Sequence, residues 1–173
     1  MILDVVKAAV LLAVAAVAQI SIANGFELAE GRADIVLLCI VAIALLRGPI
    51  FGACGGFFVG LIVDVGTLGT LGLTSLLLTL AGYWAGRFGE ATSNHRNQLA
   101  RILIAVALLT IGVGVGSMVL HLLLGESVPV GTVVGRVILP SLALNLILAV
   151  PVYALCRVIF PPPERREREV ALV

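Results

Sequence analysis

Charge is scarce in this 173-residue chain: Asp, Glu, Lys and Arg together make up 12% of it, about half the ~25% usual in soluble domains. With 61% of residues hydrophobic, too few polar groups remain to cover a water-facing surface, so lipid has to be the solvent for much of the chain. Cysteine is limited to Cys39, Cys54 and Cys156, all inside apolar runs and none at metal-ligand or C-x-x-C spacing, so all three read as small packing residues. The two histidines, His95 and His121, have no companion His, Cys or carboxylate at ligand spacing, which leaves no evident metal centre. No Ser, Cys or Thr has an evident base and orienting acid nearby, and there is no phosphate loop. A net charge of +1 without a basic face gives no case for nucleic-acid binding. These absences predict a protein with no cofactor, no metal and no chemistry of its own.

What is present is a succession of apolar runs. The expected fold is an all-α membrane protein, a six-transmembrane-helix bundle occupying residues 1–160, with spans at about 3–23, 33–46, 50–63, 68–86, 102–124 and 137–159. Lys7, an apolar run and Ala16-Val17-Ala18 have the outline of a secretory signal, but the run continues to Ala23, long enough to span, so the segment is expected to remain as a helix. The second and third runs are short for a bilayer of ~30 Å hydrocarbon thickness. They are separated by Arg47-Gly48-Pro49, a turn signal, and are expected to form a hairpin, a re-entrant pair being the alternative. Residues 87–101 form a polar internal segment, and residues 161–173, with three prolines and then mixed Glu and Arg, read as a charged cytoplasmic tail.

Orientation follows from Lys and Arg, which accumulate in cytoplasmic loops. An N-terminus inside places Lys7, Arg47, Arg87, Arg96, Arg101, Arg157, Arg165, Arg166 and Arg168 on the cytoplasmic side and only Arg32 and Arg136 outside. Losing or adding one span scrambles that split, so the charges predict both termini in the cytoplasm and an even number of crossings. Tyr83, Trp84, Phe88, Tyr153 and Phe160 gather at the same boundary, where amphipathic rings anchor.

Gly48, Gly52, Gly56 and Gly60 recur every four residues and lead to Asp64. On a helix they form a flat stripe, the means by which helices approach closely where apolar burial no longer drives association. The stripe serves either packing within the chain or a subunit contact, and a homo-oligomer stays open. Asp64, expected at the outer edge of its span, is either a cap for the following helix in a turn with Gly66 and Gly69, or a group reaching a partner or ligand. Ser141, Asn145 and Pro151 interrupt the last span; Asn145 is expected to hydrogen-bond another helix, and Pro151 to bend its own. The charged stretches at 87–101 and in the tail read as solvated or as binding anionic lipid.

From Gly52 to Gly89 the order Gly60-Leu61-x-x-Asp64, then Gly69-x-x-Gly72-Leu73, then Gly82-Tyr83 and Gly86, resembles the bacterial rod shape-determining protein family MreD. The resemblance implies a non-enzymatic subunit of the cell-elongation machinery in the bacterial cytoplasmic membrane. Its implied direct partner is MreC, with MreB, RodA and the transpeptidase partner of RodA in the wider assembly. It assigns no catalytic residue, so Gly52, Gly56, Gly60, Leu61, Asp64, Gly69, Gly72, Tyr83 and Gly86 enter as candidates for helix packing or partner binding. More remotely the family resembles the six-helix substrate-binding subunits of energy-coupling-factor vitamin transporters. That rival calls for polar and aromatic groups in the outer halves of the helices, whereas most rings here lie at the cytoplasmic end; Ala9 and Ala13 would then form a docking patch for a coupling subunit.

Overall fold

The computed structural model describes residues 2–25, 33–68, 70–92, 98–125, 131 and 133–161. Six helices account for nearly all of them: α1 (Ile2–Gly25), α2 (Ile35–Arg47), α3 (Pro49–Thr67), α4 (Leu73–Ala91), α5 (Gln98–Leu123) and α6 (Leu139–Ile159), the last preceded by a π-helical turn at Val133–Ile138. No strand occurs among the described residues. Four helical stretches, in α1, α3, α5 and α6, are long and apolar enough to cross a membrane. The chain is thus an all-helical membrane bundle. Gly69, His95, Arg96, Arg32 and the tail with Arg165, Arg166 and Arg168 lie outside the described residues.

The shortest helix is the innermost. Val36 to Ala44 of α2 are buried without interruption, none more than 5% exposed. A helix apolar on every face can be satisfied only by neighbours on every face, and α2 touches α1, α3, α4, α5 and α6. Around it the outer helices pack in the order α1, α3, α4, α5, α6. At ~1.5 Å per residue, the 13 residues of α2 reach only about 20 Å. Its N-terminus is bonded to Gln19, six residues before the end of α1, and so lies about 9 Å short of that helix's end.

One end of the bundle is charged. There Arg47, closing α2, holds Asp4 of α1 at 3.2 Å and lies over the ring of Phe160, 5.7 Å from its centroid. The ring is fully buried and clamps the exit of α6 against α2. Arg87 and Glu90 on α4 pair at 3.1 Å, and Arg157 of α6 reaches Gln98 of α5. Both the first and the last helix therefore have their outer termini at this end.

The expected spans and the helices differ most around Asp64. The third run is expected to stop at that carboxylate, yet α3 continues to Thr67, and α4 starts only at Leu73. Asp64 does not end the helix because it is 2% exposed and is engaged by the next one. The actual stop is Leu68, in the left-handed conformation at φ 53°, whose N–H returns to the Asp64 and Val65 carbonyls. α6 continues unbroken through Pro151.

Candidate functional site

Two constructions stand out, a glycine seam between α3 and α4 and a polar knot at the buried start of α2. The seam follows from the four-residue spacing. Gly52, Gly56 and Gly60 lie on one face of α3, and that face meets α4. A methyl group on Gly56 would overlap the backbone of Leu78, one on Gly60 the backbone of Ser75, and one on Gly52 both the Gly82 carbonyl and the Ala44 side chain. α4 reciprocates: Gly82 has no room beside the Gly52 backbone, nor Gly86 beside Gly48 and Pro49. Two backbones in such proximity gain dispersion and short-range polar contacts that side chains would prevent. Ser75 adds a hydrogen bond across the seam, its Oγ donating to the Phe57 carbonyl at 2.9 Å.

Asp64 closes the seam at the end opposite the charged one. Its Oδ2 accepts from the N–H groups of Gly72 at 2.8 Å and Ser75 at 3.3 Å, and its Oδ1 from Thr74 at 3.2 Å. These N–H groups belong to the first turn of α4, where no intrahelical partner exists and where the helix dipole favours negative charge. Gly72, the N-cap at φ 92°, has no side chain to cap with, and Asp64 does the work from the preceding helix. Of the two roles expected for Asp64, the structure shows the cap: the carboxylate is 2% exposed and bonded to the start of the following helix. Gly72 thus meets Asp64, whereas Leu61 is half-buried and Tyr83 and Trp84 are exposed on the outer face of α4, ring against ring.

The polar knot is needed because α2 begins inside the bundle. Asp34 caps it, Oδ1 accepting from Leu37 N–H at 3.0 Å. The Val36 N–H donates to Gln19 Oε1 of α1 at 2.9 Å, and the Asp34 N–H donates to Asn145 Oδ1 of α6 at 2.9 Å. Asn145, 1% exposed, also donates from Nδ2 to Thr110 Oγ1 of α5 at 3.1 Å. Three helices thus meet at the Asn145 amide, α1 joining the knot through Gln19 at Val36, and only Asn145 is singled out by sequence. Gln19, Asp34 and Thr110 escape notice because each sits at a boundary or alone in an apolar run; a start signal for a helix too short to reach the surface is what could have pointed to them. Replacing Asn145 with Leu should lower the thermal midpoint in detergent, by the equivalent of about 1–2 kcal/mol. Thr110→Val should cost less, since it removes only one of the two bonds, and equal midpoints for both variants and wild type would remove the knot from the stability of the bundle.

The fold also joins residues far apart in sequence. The thiols of Cys39 on α2 and Cys156 on α6 meet in the core, and Cys54 is exposed. Among the described residues no three His, Cys, Asp or Glu side chains gather as a metal site. What these arrangements do is hold helices in place. A protein-family model described as rod shape-determining protein MreD matches residues 1–159. Neither the curated proteins nor the solved structures contain a match.

Proposed function

The chain belongs to the MreD family of rod shape-determining proteins, and from that premise we propose that it is a non-enzymatic scaffold that holds MreC in the cytoplasmic membrane through contacts between transmembrane helices. Its role in rod-shape determination and its character as a multi-pass inner-membrane protein come with the family and the four long apolar helices. The finer reading rests on one observation. The family match runs through all six helices, so what this chain shares with the family is its helical bundle. A membrane-embedded helical surface meets other membrane proteins by helix contact.

The glycine stripe is filled by α4, so a partner's span has to use the outward faces instead. These carry ample apolar side chains, among them Val6, Val10, Val14 and Val17 along α1. MreB, RodA and the transpeptidase partner of RodA belong to the same proposed assembly at one remove. Purification of the tagged chain from native membranes should recover MreC at near-equal amounts. Recovery without MreC would overturn the scaffold, and recovery with an ATPase and a bound vitamin would place the protein with the transporter subunits instead.

Both termini lie in the cytoplasm in this proposal, which the excess of Lys and Arg on that side supports. A cysteine introduced at Arg96 should be labelled by an impermeant maleimide only after the membrane is opened. Labelling in intact cells from the periplasmic side would invert the arrangement.

A further inference from the structure

The outer side of the α5 and α6 pair carries a groove that neither the seam nor the knot uses. At the charged end it opens as a cleft of about 510 Å³ lined by Gln98, Leu99, Ile102, Tyr153, Arg157 and Val158, among others. Toward the middle of the bundle it continues, past Val150 which lines both parts, as a shallow, open apolar slot between Leu103, Ile104 and Ala107 of α5 and Leu146 and Ile147 of α6. The mouth is polar and ordered. Arg157 Nη1 donates to Gln98 Oε1 at 3.3 Å, and Gln98 Nε2 donates to the Tyr153 hydroxyl at 2.8 Å. Tyr153 is 5% exposed, and its hydroxyl, used here as an acceptor, keeps its own proton to give. The guanidinium spends one of its five donors on Gln98. Hydrogen-bond donors therefore converge at the charged-end mouth of the slot, and among the described residues no carboxylate lines the cleft.

We propose that this groove binds one anionic phospholipid of the surrounding leaflet, its phosphate held by Arg157 and the Tyr153 hydroxyl and one acyl chain lying in the slot between α5 and α6. The dimensions suit one acyl chain. From Gln98 to Ala107 the groove runs about 14 Å along α5, close to half of the ~30 Å hydrocarbon thickness, which is the depth of one leaflet. The charge selects an anionic headgroup: a basic residue at the boundary attracts anionic over zwitterionic lipid. Neither statement depends on which leaflet the charged end faces, nor on the identity of any protein partner.

The test is native mass spectrometry of the full chain from micelles doped with equal amounts of dioleoylphosphatidylglycerol and dioleoylphosphatidylcholine. Wild type should retain the phosphatidylglycerol in preference by about five-fold, the factor contributed by one basic residue near an anionic surface. Arg157→Gln should bring the two lipids to parity, Ala107→Trp should lower retention of both by filling the slot, and Arg87→Gln, at the same end but on α4, should leave the preference intact. Thermal midpoints of the variants, expected within a few degrees of wild type, separate loss of the lipid from loss of the fold. Equal retention of both lipids by wild type, or an unchanged preference in Arg157→Gln, overturns the assignment. So does a cysteine at Ile147 that crosslinks to a partner's transmembrane helix in native membranes, because a protein then occupies the groove.

Discussion

Gly56→Leu should unfold most readily of all single variants, losing at least about 3 kcal/mol, the upper part of the range for overpacking. The reason is the identity of the obstacle. A side chain at this position meets the Leu78 and Thr79 backbone rather than a rotatable group, so relief requires α4 to move away along the whole seam, and with it the Ser75 bond to Phe57 and the Asp64 cap. On a scale of ~2–4 °C per kcal/mol for chains of this size, the thermal midpoint falls by roughly 10 °C. The protein carries its own reporters. Buried Cys39 and Cys156 react with a fluorogenic maleimide only as the core opens, and exposed Cys54 can be changed to Ser to remove its background. Gly112→Ala is the contrasting variant, because nothing lies within 4 Å of a methyl group there and alanine is the better helix former by about 1 kcal/mol. Its midpoint should hold or rise. If Gly56→Leu melted within about 2 °C of wild type, by the same scale, the seam would contribute nothing that a wider helix spacing could not replace.

Asp64→Ala should come next, at on the order of 3 kcal/mol, because three N–H groups at the start of α4 lose their acceptor together and buried orphaned donors cost about 1–3 kcal/mol each before water or backbone shifts relieve them. Asp64→Asn divides the effect. It keeps one acceptor oxygen and removes the charge that favours the positive end of the helix dipole, so a loss of about half is expected. The readout is the same midpoint, joined by retention of MreC on the tagged protein. Should Asp64→Ala keep the wild-type midpoint yet lose MreC, the carboxylate serves a partner and not the fold. A fall in both, rescued in part by Asn, is the expected pattern for a cap whose loss deforms the docking surface.

Much of this was legible without coordinates, for reasons that differ by element. The bilayer leaves few options for a chain so poor in charge, since every backbone group must be satisfied inside its own segment. Gly52, Gly56 and Gly60 could be placed on one face by counting, but their neighbour could not, because nothing in a run of glycines names the helix opposite. For Asp64 a cap of the following helix and a contact with a partner were both open on spacing alone, and only its donors, the N–H groups of Gly72, Thr74 and Ser75, decide for the cap. The shortness of α2 was plain, yet its central position was not. A short apolar run fits an edge hairpin as well as a core, and only the neighbours that cap it, Gln19 and Asn145, decide between them. The groove between α5 and α6 left no trace in sequence, since Gln98, Tyr153 and Arg157 are ordinary boundary residues until two antiparallel helices set them side by side.

The enclosed second helix has a mechanical consequence. A short pillar on which all five neighbours lean leaves none of them able to slide independently, because close-packed interiors are stiff and pass strain onward. A tug on one flank of the molecule is therefore felt on the opposite flank. A push or tilt applied to one outer helix should thus be shared by the others through this common support.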